Sequence, residues 1–340
     1  MELPGEMFAR VPTSRRRDAT TRQSPREPPE YGAGVSSLTW PASIDIREVG
    51  PRDGLQIEAP LSTAAKIRLL DALVATGVGR IEATAFVSPR AVPAMADAEQ
   101  VGAYVREVAG PEWSALVASP NGARRAIDAG LRMIEYVISA SDGHSQANAR
   151  RSSDEALAAV SEVAEVVHGA GGRLEVIIAT AWDCPFDGPT PPERTTSVAH
   201  RSVELGADQL CLGDTIGTTS PARVVGLLDA VREASGGVPL GAHFHNTRGM
   251  GIANALAAVQ TGVTQLDASV GGLGGCPFAP GASGNIATEE LVYLLEDAGV
   301  RTGLDIDAVL AAATLAQELV GHQLESNLLR AGGRSKSRSP

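Results

Sequence analysis

The sequence predicts an α/β protein of the TIM (β/α)8 barrel class, with an extra C-terminal helix and disordered termini. From Ser43 onward, short β-like runs alternate with helical patterns eight times in roughly 250 residues, the length that such a barrel needs. The first predicted strand is not followed by the glycine-rich turn of a dinucleotide-binding fold. The notable polar residues follow predicted strands, and a barrel places its chemistry at the carboxyl ends of its strands.

The eight strands are predicted from short apolar runs that are bounded by turn residues. In chain order they are Ile44–Val49, Arg80–Phe86, Trp113–Ala118, Met133–Ala140, Leu174–Ala181, Gln209–Leu212, Pro239–Asn246 and Gln265–Val270. Because a helical pattern follows each strand, the sheet is expected to be parallel.

The helices are predicted from apolar residues at helical spacing and from capping signals. Ser62 is expected to cap the first helix, Asn121 to cap a later one, and Ser220-Pro221 to begin another. The remaining helical ranges are Val92–Ala109, Ser152–Gly169, Pro191–Leu205, Gly249–Thr261, Thr288–Ala298 and Asp305–Val320. The last range is additional to a minimal barrel, and it is expected either to cap the barrel or to mediate assembly.

Three regions are predicted along the chain. Residues 1–40 form a disordered tail, because they contain Arg15-Arg-Arg17, several prolines and little apolar periodicity. The acidic residues of this tail argue against a mitochondrial transit peptide. Residues 41–325 form the barrel with its C-terminal helix, and residues 326–340 form a basic tail.

The composition restricts the partners of the protein. The 340 residues carry a net charge of −11, with +1 on residues 1–40 and +4 on residues 330–340, so the segment between them carries −16. An acidic body of this kind argues against a nucleic-acid partner. No apolar run approaches the roughly 18 residues needed to cross a bilayer. Three widely spaced cysteines favour a reducing compartment, so we expect a cytoplasmic protein without a membrane partner.

His243 and His245 are the first candidates for chemistry. Two residues apart in one strand, they direct their side chains to the same face. Two neutral imidazoles side by side suit a divalent metal ion. The alternative is a polar pair without function at the end of a strand.

Asp53 and Asn285 extend this pair into a mixed oxygen and nitrogen set at three barrel positions. Such a set suits Mg²⁺ or Mn²⁺, whereas zinc more often recruits a thiolate or a third histidine. Each residue also has a structural interpretation: Asp53 as a turn residue before Gly54, and Asn285 as a cap of the following helix.

Four further residues are candidate catalytic groups. Arg52 follows the first strand, Glu82 lies in an apolar strand where an unpaired charge is costly, and Asp214 follows the sixth strand. Glu82 is alternatively a structural ion-pair partner of Arg52. Cys276 lies in a glycine-rich loop that is suited to closing over a site, and its thiol can donate or accept a proton. The alternative is an inert small residue at position 276.

Residues 43–300 contain several distinctive motifs, which are Glu48-Val-Gly-Pro-Arg-Asp-Gly-Leu-Gln56, Ile81-Glu-Ala-Thr84, Phe86-Val-Ser-Pro89, Leu212-Gly-Asp-Thr-Ile-Gly217, His243-Phe-His245, Gly272-Leu-Gly-Gly-Cys-Pro277 and Gly281-Ala-Ser-Gly-Asn285. Together these motifs resemble the 3-hydroxy-3-methylglutaryl-CoA lyase family, within the metal-dependent aldolase and lyase barrels. The loop cysteine favours the lyases over the related synthases.

The resemblance implies a carbon–carbon lyase that cleaves an acyl-CoA by retro-Claisen chemistry, with a link to leucine catabolism. It implies a divalent cation held by four residues, which are Asp53, His243, His245 and Asn285. Arg52 would bind substrate and stabilise the enolate, and Cys276 would be the acid or base of the loop. Glu82 and Asp214 would support Arg52 and proton transfer. A homo-oligomer is expected, with a dimer favoured.

The sequence also departs from this family, so the acyl group stays open. Asn246-Thr-Arg248 stands where the mitochondrial lyases have Asp-Thr-Tyr, and Ile57 stands where they have Asn. The stretch from Ser139 to Asn148, which borders the expected acyl pocket, also differs. A citramalyl-CoA lyase, a lyase for a longer 3-hydroxy-3-alkylglutaryl-CoA, a Claisen-condensing synthase and a catalytically silent binding barrel remain alternatives.

Overall fold

Eight parallel strands form a closed barrel in the computed structural model, which describes residues 40–275 and 284–333. In chain order the strands are β1 Asp45–Glu48, β2 Arg80–Phe86, β3 Glu112–Val117, β4 Met133–Ser139, β5 Arg173–Ala179, β6 Gln209–Asp214, β7 Leu240–Phe244 and β8 Gln265–Ala268. Each strand pairs with its neighbours in the chain, and β1 closes the barrel by pairing with both β2 and β8. The predicted fold class is confirmed.

The helices surround this barrel. They are α1 Thr63–Val74, α2 Ala98–Val105, α3 Pro120–Asp128, α4 Asp142–Ala149, α5 Ser153–Ala158, α6 Val160–Gly169, α7 Pro192–Glu204, α8 Pro221–Ala234, α9 Gly251–Gln260, α10 Thr288–Asp297, α11 Ile306–Val320 and α12 Asn327–Ala331. The extra helix α11 packs against both α10 and α1, so it completes the ring at the point where the barrel closes. Among the described residues, no helix has both the length and the apolar character that crossing a membrane requires.

The two faces of each strand have different chemistry. In β4, Tyr136 points outward and its hydroxyl donates to the carbonyl oxygen of Ala156 in α5 at 2.9 Å. Its neighbour Glu135 points into the barrel, where it meets Arg47 of β1. The apolar core therefore lies between the strands and the helices, while the barrel interior contains buried charges.

Three helix predictions were wrong in detail. The range Val92–Ala109 contains only a 3-10 turn and the short helix α2. Ser152–Gly169 is divided into α5 and α6, and Ser152 caps α5 through a reciprocal pair of bonds with Glu155. The cap of α3 is Ser119, whose hydroxyl accepts from the amide of Gly122, rather than Asn121.

Some elements had no counterpart in the sequence analysis. Helix α4 follows β4, a hairpin joins Asp183–Cys184 to Gly188–Pro189, and α12 lies within the stretch expected to be a basic tail. Ser62 caps α1 as predicted, by accepting from the amide of Ala65. The disordered tail predicted for residues 1–40 lies, apart from Trp40, outside the described residues, as do residues 334–340.

Candidate active site

Arg52 and Asp53 lie on an uncommon turn directly after β1. Residues Gly50–Gly54 form a π-helical turn, in which the amides of Arg52, Asp53 and Gly54 all donate to the carbonyl oxygen of Val49. π-Helical turns are rare and occur frequently at functional sites. All five residues of the turn are buried, so both side chains stay at the carboxyl end of the barrel instead of extending into solvent.

The carboxylate of Asp53 is the centre of the site. Its Oδ1 accepts from Nη1 of Arg52 at 2.6 Å and from Nε2 of Gln56 at 2.8 Å. Its Oδ2 accepts from Nδ2 of Asn285 at 2.8 Å and lies 3.8 Å from Nε2 of His245. Burial opposes ionisation, but Arg52 and the imidazoles outweigh it, so the pKa of Asp53 is held well below its usual range. The carboxylate is therefore charged at neutral pH.

His243 and His245 lie beside this carboxylate. His243 lies in β7 and His245 follows its last residue, and both rings enter the barrel mouth with their centroids 5.1 Å apart. Ligand atoms of Asp53, His243 and His245 all lie within 4.8 Å of one another, and among the described residues this is the cluster that could hold a metal ion. Asn285 joins the group through its bond to Asp53 and through a backbone bridge to His245.

The unpaired atoms of this cluster fit a cation. Both ring nitrogens of His245 and Oδ1 of Asn285 are buried and have no hydrogen-bond partner in the described part of the chain. Buried polar atoms of this kind are costly unless something binds them. A carboxylate, two imidazoles and an amide oxygen form a mixed set that suits a divalent ion. The alternative interpretation of Asn285 as a helix cap does not hold, because its amide donates to Asp53 and to the carbonyl oxygen of Leu273.

Glu82 holds Arg52 from the other side. Nε of Arg52 donates to Oε1 of Glu82 at 2.5 Å, so the ion pair anticipated from the sequence is present. Burial raises the pKa of Glu82 well above its usual value, and the nearby Glu135 adds to this rise, although Arg52 opposes it. The guanidinium of Arg52 thus lies between Glu82 and Asp53, with its plane held from two directions.

Asp214 and Cys276 differ from the other candidates. Asp214 ends β6, and its carboxylate accepts from the amides of Thr218 and Thr219, so its described bonds order its own loop rather than Arg52. Burial raises the pKa of Asp214. Cys276 lies outside the described residues. The other two cysteines, Cys211 in the barrel and Cys184, are buried free thiols.

The residues that flank 276–283 lie beside the cluster on both sides. A Cβ on Gly284 would lie 2.3 Å from the carbonyl oxygen of Gly274, so these two backbones are in direct contact. The amide of Asn246, next to His245, donates to the carbonyl oxygen of Gly284 at 2.9 Å. Both ends of this segment are therefore fixed next to Asn285.

Three contributors to the site were not assigned roles from the sequence. Gln56 supports Asp53, and Asp267 accepts from Nδ1 of His243 at 3.1 Å. Glu48 accepts from the amides of Gly50 and Val270, which joins the turn after β1 to the loop after β8. Glu48 and Asp267 are acidic residues within apolar strands, which is the same sequence feature that marks Glu82 as a candidate.

Comparison with known proteins identifies relatives of this chain. Residues 43–316 match the family model described as HMGL-like. The chain is 41% identical over 291 residues to a hydroxymethylglutaryl-CoA lyase of Pseudomonas mevalonii, across 85% of this chain and 96% of that protein. It is 40% identical over 301 residues to an (R)-citramalyl-CoA lyase of Chloroflexus aurantiacus, across 85% of this chain and 95% of the relative.

Solved structures agree with these relatives. The fold is similar to that of an HMG-CoA lyase from Acinetobacter baumannii in complex with coenzyme A and 3-methylmalate, with a TM-score of 0.83. The two chains are 37% identical, and the match covers 89% of this chain and 98% of the other.

Proposed function

Because the chain belongs to the HMGL-like family and is a carbon–carbon lyase, we propose that it cleaves 3-hydroxy-3-methylglutaryl-CoA to acetyl-CoA and acetoacetate. The observation that carries this proposal is the convergence of Asp53, His243, His245 and Asn285 beside Arg52 at the mouth of the barrel. A scaffold without catalytic function has no need of buried, unpaired nitrogens at this position.

We propose that these four residues hold Mg²⁺ or Mn²⁺. When bound, the cation would favour ionisation of the tertiary hydroxyl, which the cleavage requires. The carboxylate of Asp53 supplies a full negative charge, because Arg52 and the imidazoles keep it ionised. Asn285 supplies the oxygen Oδ1, because its Nδ2 already donates to Oδ2 of Asp53 and to the carbonyl oxygen of Leu273.

Arg52 is the proposed electrostatic catalyst. Cleavage leaves an enolate oxygen on the acyl-CoA fragment, and a fixed guanidinium stabilises such an oxyanion without having to reorganise. Glu82 and Asp53 hold Nε and Nη1, which leaves Nη2 of Arg52 as the group that can face the substrate. Burial raises the pKa values of Glu82 and Asp214 above their usual range, and both carboxyls are proposed to support proton transfer. Cys276 is the proposed proton donor to the enolate carbon.

A citramalyl-CoA lyase is the second candidate, supported by the relative from Chloroflexus aurantiacus. The stretch after β4, which differs from that of the mitochondrial lyases, contains the buried His144, whose Nδ1 lies 2.5 Å from the hydroxyl of Ser139. The deciding experiment is product analysis after incubation with each acyl-CoA and Mg²⁺. Acetoacetate from hydroxymethylglutaryl-CoA supports the first activity, and pyruvate from citramalyl-CoA supports the second. Free CoA from acetyl-CoA and a 2-oxo acid would instead indicate a synthase.

The cellular setting follows from the same proposal. We expect a cytoplasmic homo-oligomer, with a dimer favoured, that acts in leucine catabolism if hydroxymethylglutaryl-CoA is the better substrate. The buried free thiols of Cys184 and Cys211 support a reducing compartment. Light scattering of the purified protein tests the oligomeric state.

A further inference from the structure

Asp267 lies between a candidate metal ligand and a buried arginine. It is in register with Arg47 of β1 on one side and with His243 of β7 on the other, so the three residues stand side by side on adjacent strands. Oδ2 of Asp267 is 3.1 Å from Nδ1 of His243. Since the carboxylate can only accept, Nδ1 carries the proton and Nε2 of His243 is left with a free lone pair.

Arg47 fixes the orientation of this carboxylate. Nε of Arg47 donates to Oδ1 of Asp267 at 2.9 Å, and Nη2 donates to Oδ2 at 2.8 Å. Such a two-bond contact holds both planar groups in one relative orientation. Asp267 therefore cannot rotate away from His243 without losing both bonds. Arg47 and Asp267 are each about 2% exposed, so water does not compete for these bonds.

Arg47 is held in turn from across the barrel. Its Nη1 lies 2.8 Å from Oε1 of Glu135 and 2.8 Å from Oε1 of Glu175. These two carboxylates are themselves in register on β4 and β5, where like charges would repel without the guanidinium between them. The cluster of Arg47, Glu135, Glu175 and Asp267, here called the barrel-floor cluster, connects β1, β4, β5 and β8.

We propose that Asp267, held by Arg47, is the positioning residue that selects the metal-binding tautomer of His243. Asp267 with Arg47 extends the metal site into the barrel interior and presents Nε2 of His243 to the cation, while Glu135 and Glu175 together balance the charge of Arg47. A ligand histidine generally donates its second nitrogen to such a group, which fixes the ring and raises its basicity. The inference rests on the proposed metal site, but it does not depend on which acyl-CoA is cleaved.

The tautomer can be measured directly in the full-length protein. Long-range ¹H–¹⁵N correlation spectra of the histidine side chains distinguish a proton on Nδ1 from a proton on Nε2, and comparison with His243→Gln assigns the signals. In the wild type with Mg²⁺ we expect the proton of His243 on Nδ1. A proton on Nε2 would overturn the proposal, and this measurement needs no variant of Asp267.

The variant Asp267→Leu removes the acceptor and excludes water from its place. We expect the proton of His243 to move to Nε2 and the Kd for Mn²⁺, measured from the EPR signal of free Mn²⁺, to rise about 10- to 100-fold. Asp267→Asn keeps a carbonyl oxygen that can accept from Nδ1, so it should retain the wild-type tautomer and lose less affinity. An unchanged tautomer and Kd in Asp267→Leu would contradict the proposal.

Glu175→Leu is the matched control, because it also removes one carboxylate from Arg47 but has no described bond to His243. It should keep the tautomer and a Kd close to that of the wild type. Equal losses in Glu175→Leu and Asp267→Leu would assign the effect to general disruption of the barrel and overturn the proposal. Because no acyl-CoA is present, a protein that passes these tests but cleaves neither substrate would refute the proposed function alone.

Discussion

Arg52 and Asp53 contact each other through their side chains, with Nη1 of the arginine 2.6 Å from Oδ1 of the aspartate. A carboxylate that is expected to bind the cation therefore also holds the guanidinium that is expected to face the enolate oxygen. The carboxylate of Asp53 thus positions both positive charges of the proposed mechanism, the cation and the guanidinium of Arg52. A change at either residue should consequently affect the other.

Arg52→Lys should lower kcat more than it changes KM. A single ammonium cannot reproduce the separate bonds of Arg52 to Glu82 and Asp53 and still present a donor to the oxyanion. The loss in kcat should be roughly 10²-fold or more, as for removal of an oxyanion donor. Steady-state kinetics measures both constants, and exposed Arg124→Lys, which pairs with Glu162, is the control. A change confined to KM would make Arg52 a binding residue only.

Chelation should abolish activity, and Mg²⁺ or Mn²⁺ should restore it. His245→Ala and Asp53→Ala should each weaken metal binding as well as turnover, because both residues belong to the buried cluster. Calorimetric titration with Mn²⁺ measures the affinity, and exposed His200→Ala serves as the control. Full turnover in excess chelator would remove the metal from the mechanism, whereas identical titrations of both variants and the wild type would show that the ligands are misassigned.

Cys276→Ala and Cys276→Ser should lose most turnover while Mn²⁺ affinity stays unchanged, because the thiol is not a proposed ligand. Iodoacetamide should inactivate the wild type, and a saturating substrate analogue should slow the inactivation. Cys184→Ala is the control, since this thiol is buried and is not part of the proposed site. Near-normal kcat in Cys276→Ala would assign proton transfer to another group, such as Glu82 or Asp214.

Gly284→Ala should lower both Mn²⁺ affinity and kcat, by at least about 10-fold if the displaced backbone carries Asn285 with it. The added methyl would lie 2.3 Å from the carbonyl oxygen of Gly274, and backbone atoms on both sides cannot easily move. Gly226→Ala in α8 is the matched control, because a Cβ there meets nothing within 4 Å. That variant should instead stabilise the helix by up to about 1 kcal/mol. Equal behaviour of the two variants would show that the contact at Gly284 is unimportant.

Glu48→Gln should reduce the pH dependence of stability. Burial raises the pKa of Glu48 from 4.5 to about 7, so the folded state binds this proton more tightly than the unfolded chain does. The stabilisation is complete below the unfolded pKa and is lost as the pH rises through the folded pKa. An amide can still accept from Gly50 and Val270 and donate to Thr288.

Urea unfolding at several pH values tests this prediction. As the pH rises from about 5 to about 8, the free energy of unfolding of the wild type should fall by up to about 3 kcal/mol. The variant should not show this fall. Glu233→Gln, at an exposed position of α8, is the control. Parallel pH profiles of Glu48→Gln and the wild type would contradict the assignment.

The barrel and the convergence of its polar residues could be predicted because both follow from local patterns. Strand length, alternation and the rule that chemistry lies at strand ends were enough to bring Asp53, His243 and Asn285 together. The division between α5 and α6 was missed because Ser152–Gly169 has continuous helical periodicity, and no glycine or proline marks the break. The cap at Ser119 was missed because Asn121 carries an equally good capping side chain.

The support of the site was harder to foresee for a different reason. Arg47 and Asp267 are 220 positions apart and meet only because β1 and β8 close the barrel in one particular register. A shift of one residue would turn Asp267 toward the helices. The π-helical turn that carries Arg52 likewise depends on one carbonyl oxygen, that of Val49, accepting three amides. Such relationships are set by tertiary geometry.

The antiparallel bridge between His245 and Asn285 has an evolutionary consequence. The amide of Ile286 donates to the carbonyl oxygen of Phe244, so the chain is secured on the far side of Asn285 as well. The residues on either side of 276–283 are thus held by contacts with other described residues, and lengthening a loop costs little, at about 0.6 kcal/mol per doubling of its length. In evolution, residues 276–283 can therefore be replaced while the same metal ligands are kept. Such a replacement would change the proton donor or the substrate preference.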